Sequence, residues 1–172
     1  LGVEFAPSRA EVPEALVAAF SYDDRVLLER YVRGRELAVG LLDGQPLPVV
    51  EAIPKQEDFF NFEARYEIGR TDYVCPAELS DTDASTVQEA ARSTWEVLGC
   101  AGFARVDVML GGAEAAPETR GPQVLEVNAI PGLTDTSLLP QAAEAAGLAF
   151  EQLCVRIVEL ARERAATAAL PG

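Results

Sequence analysis

Apolar residues recur along this chain in two rhythms, a helical one near the start and in the second half, and a strand-like one between and around them. The run "SRAE" at 8–11 has capping-box spacing, and Val12, Leu16, Val17 and Phe20 form one stripe, so a helix is predicted over 9–20, packed on a sheet. Three strand-like runs follow: "RVLLERYV" (25–32), "ELAVGLLDG" (36–44) and "LPVVEAI" (47–53). Asp43-Gly44 suits a tight hairpin turn, and the three runs together predict an antiparallel meander.

Residues 54–74 carry no sustained period. Phe59, Phe60, Phe62 and Tyr66 stand there among the charged Lys55, Glu57, Asp58, Glu63, Arg65, Glu67, Arg70 and Asp72, so a long binding loop that closes only over ligand is expected. The alternative is that the aromatics form a small satellite core. Over 80–99, Ser80 and Asp83 can cap, Val87, Ala91, Trp95 and Leu98 make a stripe, and Gly99 terminates a helix. "GFARVDVML" (102–110) and "PQVLEVNAI" (122–130) read as a strand hairpin joined by a loop rich in Gly, Ala, Glu and Pro. A short helix in "SLLPQAAEAAG", ended by Gly147, and an amphipathic helix from Phe150 follow, with Leu153, Ile157, Leu160 and Ala161 inward and "TAALPG" frayed. No internal repeat is visible.

Composition narrows the chemistry. The chain has 172 residues, about half of them hydrophobic, enough for one globular domain with a real core, and it is read as a single domain over 1–172. Its opening, "LGVEF", reads as the interior of a longer protein. No stretch approaches the roughly 20 apolar residues of a membrane span, so a soluble, cytoplasmic protein is expected. A net charge of -14 argues against nucleic-acid binding, which needs an excess of cations over the phosphates. Lys55 is the only lysine and histidine is absent, which leaves carboxylates, Arg, Tyr, Ser and backbone for any catalysis. Cys75, Cys100 and Cys154 have neither disulfide nor zinc spacing and read as small buried hydrophobes.

Polar residues inside the apolar hairpin carry the sharpest signal. Arg105 and Asp107 share one strand face, as do Glu126 and Asn128. If the two strands pair with those faces together, the carboxylates repel unless a cation joins them, and two carboxylates with a carboxamide oxygen suit Mg²⁺. The alternative is a solvated face on which Arg105 pairs with Asp107 or Glu126. After Asn128 the strand breaks at Pro131-Gly132 and runs into a helix start bearing Thr134, Thr136 and Ser137, whose hydroxyls and backbone N–H groups suit an anion. Metal beside anion suggests phosphate chemistry.

Taken together, "LERYVRGREL", "FARVDVML" and "LEVNAIPGLTDTSLLPQAAEAAG" resemble the C-terminal ATP-grasp domain of D-alanine-D-alanine ligases, and the resemblance runs through nearly the whole chain. It implies an α+β ATP-grasp fold, with a largely antiparallel mixed sheet and packed helices. The activity it implies is ATP-dependent joining of two D-alanines through an acyl phosphate, for peptidoglycan precursor synthesis. By the same resemblance Asp107, Glu126 and Asn128 are the Mg²⁺ ligands, with Mn²⁺ an accepted substitute, and Arg105 stabilises the transferring phosphoryl group and tetrahedral intermediate. Gly132 matches the backbone donor to the oxyanion, and Ser137 and Leu138 the positions that hold the carboxylate of the second D-alanine. Glu29, Arg30, Tyr31 and Val32 match the adenine hinge and Glu36 the acid on the ribose hydroxyls. Without that resemblance, "LLERYV" reads only as an edge strand.

Two positions depart from the family pattern. Arg30 stands where a lysine is usual, and Arg65-Tyr66 replaces Lys-Tyr in the mobile loop, where Tyr66 is a candidate catalytic residue. Ester-forming relatives carry a histidine in that loop, and its absence here favours the dipeptide product. The family's first-substrate domain, its two phosphate lysines and its serine-rich loop are expected upstream of Leu1, so the chain alone is expected to be inactive and the whole protein a homodimer. Another carboxylate–amine ligase and a non-catalytic cation-binding module stay open as alternatives.

Overall fold

A computed structural model of the chain describes residues 2–54, 71–134 and 136–168. The chain divides into two compact units, Leu1–Tyr31 with Pro54–Thr71, and Val32–Ile53 with Asp72–Gly172.

In the first unit, helix α1 spans Val12–Ala19. It starts later than the spacing predicts, because Ser8 does not cap it. Ser8 Oγ donates to the Glu11 carboxylate at 2.7 Å, Glu11 occupies the N-cap position and Pro13 stands in the first turn, where a missing N–H costs no hydrogen bond. Helix α1 buries none of its residues, and Val17, predicted in its apolar stripe, is 74% exposed. Residues 25–32 form no strand either. Leu27 and Leu28 are adjacent rather than alternating and both are largely exposed, so no single face of that run can be buried.

The second unit holds most of a sheet ordered β4-β3-β1-β5-β6, with β2 also on β1. The strands are β1 Gly34–Leu42, β2 Gln45–Pro46, β3 Val50–Pro54, β4 Thr71–Val74, β5 Phe103–Gly111 and β6 Gly121–Asn128. Asp43 and Gly44 both take positive φ, 53° and 74°, as a two-residue hairpin turn requires. The run predicted as a strand over 47–53 enters strand only at Val50, in β3, while the short β2 lies ahead of it, because Pro46 and Pro48 have no N–H for a continuous ladder. The expected meander is also rearranged. On one edge β1 pairs antiparallel with β2 and β3, and on the other with β5 over nine residues, from Gly34↔Gly111 to Leu42↔Phe103. Both edges of β1 are therefore taken.

Each face of the sheet is covered by helix. Helix α2, Asp81–Leu98, lays Val87, Ala91 and Trp95 against Leu37, Val39, Leu41, Ala104, Val106, Val108 and Leu110. Leu98, predicted in that stripe, is 62% exposed because it lies in the last turn before the Gly99 cap. On the opposite face α3, Leu138–Ala145, and α4, Phe150–Ala168, contribute Leu139, Ala142, Ala143 and Leu153 to a second cluster with Ala38, Leu47 and Val50. Helix α4 continues through Ala168, further than expected, and Ala161 is exposed rather than inward. The three thiols are free and half-buried, not fully buried, and burial pushes the Cys75 thiol up. Among the described residues no helix is long and apolar enough to cross a membrane.

Candidate functional site

Strand alternation sorts β5 into two sets. Ala104, Val106, Val108 and Leu110 are buried under α2, while Arg105, Asp107 and Met109 are half-buried on the other face. The antiparallel partner β6 brings Asn128 opposite Arg105 and Glu126 opposite Asp107, so the coincidence of faces required by the sequence reading is met. A β-bulge follows at once, between Asp107 and Val108, where the register jumps so that Val108 faces Val124. The extra residue re-aims β6 beyond the paired set, a common device next to functional sites.

The four polar side chains are arranged unequally. Arg105 Nε donates to Asp107 Oδ1 at 2.7 Å and a terminal guanidinium nitrogen to Oδ2 at 2.8 Å, and both side chains are 20% exposed. Such a bidentate fork is stronger than a single contact. Asn128 Oδ1 accepts from the Ile130 backbone N–H at 3.2 Å, which orients its carboxamide at the end of the strand. Glu126 is exposed and takes no part in the Arg105–Asp107 pair. The ion pair of Arg105 with Asp107, one of the alternatives in the sequence, is present, and the register sets Glu126 and Asn128 across from it.

On the β1 side of this face Gly40 lies opposite Arg105, Ala38 opposite Asp107 and Glu36 opposite Met109. Glu36 therefore shares the face, further along the sheet. A Cβ at Gly40 would lie 2.7 Å from Leu139 Cδ1, which places the first turn of α3 over the sheet beside Arg105. The chain reaches α3 through Pro131-Gly132, where a Cβ on Gly132 would come within 2.8 Å of Ser137 Oγ, so the close approach suits glycine. Ser137 is the N-cap of α3 but makes no side-chain bond to the helix. Its Oγ accepts from the Thr134 N–H at 3.2 Å and lies 2.8 Å from Thr134 Oγ1, which is 3.3 Å from Thr136 Oγ1. The hydroxyls expected to meet an anion are engaged with one another, and Leu138 opens the helix beside them.

Val32, at the start of the second unit, is buried. Glu29, Arg30 and Tyr31 belong to the first unit, where all three are exposed and Tyr31 makes an edge-on contact with Phe5 at 5.7 Å. Tyr66, Arg65 and the loop aromatics lie outside the described residues, and the end of the run read as loop over 54–74 is strand instead, Thr71–Val74 forming β4.

One polar group escaped the sequence reading. Glu51, 9% exposed, accepts from Arg35 Nε at 2.7 Å and from a terminal nitrogen at 2.5 Å, while the other terminal nitrogen of Arg35 donates to the Glu78 carbonyl at 2.8 Å. The signal was present: Glu51 interrupts "LPVVEAI" much as Glu126 interrupts "QVLEVN".

Comparison with known proteins points to one family. Residues 1–159 match the family described as D-ala D-ala ligase C-terminus. A D-alanine--D-alanine ligase of Methylacidiphilum infernorum is 43% identical over 160 residues, 93% of this chain and 50% of the relative. One of Syntrophotalea carbinolica is 41% identical over 158 residues, 92% of this chain and 49% of its own. Among solved structures, the D-alanine--D-alanine ligase of Bacillus anthracis complexed with ATP superposes with a TM-score of 0.77 at 31% identity, over 95% of this chain and 51% of that one. The chain spans about half the length of the curated relatives it matches. With its antiparallel sheet between helices, its Arg-x-Asp strand paired to a Glu-x-Asn strand and a family match that covers nearly all its length, the chain belongs to the D-ala D-ala ligase C-terminal family and has its ATP-grasp fold.

Proposed function

We propose that this chain is the C-terminal ATP-grasp part of a cytoplasmic, homodimeric D-alanine-D-alanine ligase, which makes the dipeptide for peptidoglycan precursors. The cross-strand register that sets Asp107 against Glu126 and Arg105 against Asn128 carries the proposal. Two carboxylates and a carboxamide oxygen on one face are a hard-oxygen set that fits Mg²⁺, or Mn²⁺ in its place. When bound, the ion neutralises charge on the nucleotide phosphates.

The chain's own residues then divide the work. Backbone groups of Glu29, Arg30, Tyr31 and Val32 hold the adenine, and Glu36 accepts from the ribose hydroxyls. A carboxylate oxygen of the first D-alanine attacks the γ-phosphorus of ATP, ADP leaves, and the guanidinium of Arg105 stabilises the charge on the transferring group. The amine of the second D-alanine, whose carboxylate is held at Ser137 and Leu138, attacks the acyl carbonyl. The Gly132 N–H donates to the oxygen that becomes negative there, and phosphate departs. Tyr66 is the further candidate catalytic residue.

The experiment is ADP release by the full-length protein with D-alanine, compared with D-serine, D-lactate and L-amino acids. Turnover with D-alanine that falls by about a thousandfold or more in Glu126→Ala is expected, an effect on the scale of losing a principal transition-state charge stabiliser. Activity confined to L-amino acids, or undiminished turnover in Glu126→Ala, overturns the reading.

A further inference from the structure

We propose that the cavity where α2, α4 and the β1–β2 turn meet is a binding site for a small, uncharged aromatic molecule that carries a primary amide. It lies outside the residues assigned to ligation above and stands independently of that assignment.

The cavity measures about 300 Å³, at the small end for ligand sites, and its lining includes Asp43, Trp95, Cys100, Leu160, Glu163 and Thr167. All of these belong to the second unit. Trp95 comes from α2, and Leu160, Glu163 and Thr167 come from α4, so both helix layers contribute where β1 ends and β5 begins. The Asp43 N–H donates to the Gly102 carbonyl at 2.8 Å and the Cys100 N–H to the Trp95 carbonyl at 3.0 Å, so backbone bonds fix these walls. From Gly102 to Arg105 the chain runs three residues along β5, about 10 Å, and Arg105 lies on the sheet face opposite α2.

The cavity holds a donor and an acceptor that the protein leaves unfilled. Trp95 is nine-tenths buried, yet its indole N–H has no acceptor among the described residues. No fully enclosed side-chain nitrogen or oxygen among those residues lacks a partner, so this N–H is reached from outside, and the cavity is the opening that Trp95 lines. A Cβ built on Gly44 would lie 3.2 Å from Nε1, which sets the N–H edge of the ring against the turn that carries Asp43. Asp43 Oδ2 accepts from Arg156 at 3.1 Å, while Oδ1 has no partner among the described residues. A primary amide answers both groups at once, its carbonyl accepting from the indole and its N–H donating to the carboxylate. The ring beyond it packs on Leu160, Cys100 and the face of Trp95.

Charge selects against the ionic alternatives. Arg156 is shared by Asp43, Glu159 and Glu163, at 3.1, 3.4 and 3.2 Å, so three carboxylates surround one guanidinium, and Arg164 brings the second cation to the lining. A carboxylate ligand meets this excess of negative charge and cannot donate to Asp43. An ammonium ligand has no acceptor for the indole N–H.

The test follows the Trp95 indole N–H of the full-length protein, labelled with ¹⁵N-tryptophan, by ¹⁵N–¹H NMR during titration with benzamide, the signal being assigned by its loss in Trp95→Phe. A saturable shift with a Kd in roughly the millimolar range is expected, as suits a molecule of this size. Benzoate should bind about tenfold more weakly or worse, and acetophenone, which keeps only the carbonyl, about three- to tenfold more weakly. Asp43→Gly keeps a residue suited to the turn and should bring benzamide down to the level of acetophenone. Thr167→Phe, from an exposed position on α4, should fill the cavity and abolish the shift. No saturable shift below about 50 mM, benzoate binding as tightly as benzamide, or benzamide binding unchanged in Asp43→Gly or in Thr167→Phe overturns the proposal. Far-UV circular dichroism confirms the fold of each variant, and Ala101→Phe closes the same cavity if Thr167→Phe is unstable.

Discussion

Glu51 and Glu126 interrupt their apolar runs in the same way, yet only Glu51 is buried, and its two oxygens are both satisfied by Arg35. The pair joins β1 to β3, and the remaining nitrogen of Arg35 ties it to Glu78 just before α2. Removing the arginine alone leaves a largely buried carboxylate without its partner, whereas replacing both residues by apolar ones removes the demand as well as the supply. Arg35→Met should therefore lower unfolding stability by roughly 2–4 kcal/mol in urea titration, and Arg35→Met with Glu51→Leu should recover most of that loss. The hydrogen bond from Arg35 to Glu51, aided by its charge, raises the Arg35 pKa above the ordinary arginine value. A raised folded-state value means that this contribution is fully present below the unfolded arginine pKa and is lost only as pH rises through the folded one, so it is constant across neutral pH. The sequence shows a carboxylate in an apolar strand; whether it meets an arginine two strands' residues away or an empty face is a matter of register.

Helix α2 was the most legible element because its signals are local. Ser80 Oγ accepts from the Asp83 N–H at 3.1 Å, Gly99 closes the last turn in the left-handed region with φ 63°, and Val87, Ala91 and Trp95 are buried at helical spacing. Ser80→Ala should lower stability by about 1 kcal/mol, read as a shift of the urea midpoint with an unchanged slope. The β5–β6 hairpin was legible for the same reason, apart from its bulge. Residues 25–32 failed where α2 succeeded: a helix satisfies its own backbone, but a strand needs a pairing partner and one face to bury, and the adjacent Leu27 and Leu28 are both exposed. The late start of the strand predicted over 47–53 was written in Pro46 and Pro48 and was missed by weighing apolar alternation above the missing donors. Ser8 and Glu11 have capping-box spacing, but they bond to each other instead of to backbone, and α1 begins one step beyond them.

At the scale of the whole molecule, the chain covers about half of relatives such as the Methylacidiphilum infernorum ligase, and it carries one lysine and no histidine. The 172-residue chain alone should therefore release no ADP that depends on D-alanine, measured by a coupled assay with Mg²⁺ and ATP, while the full-length protein should. Amino-acid identity by itself determined which chemistry was available: carboxylates, a carboxamide and arginine in strand alternation, with a Pro-Gly break behind them, because residue type and a period of two are properties of the chain alone. Only the tertiary structure decided that Asp107 faces Glu126, that Arg105 forks Asp107, and that Glu51 is a buried partner of Arg35 while Glu126 stays open. Those outcomes depend on which strand edges pair and in what register, and that is set by contacts between residues far apart in the chain.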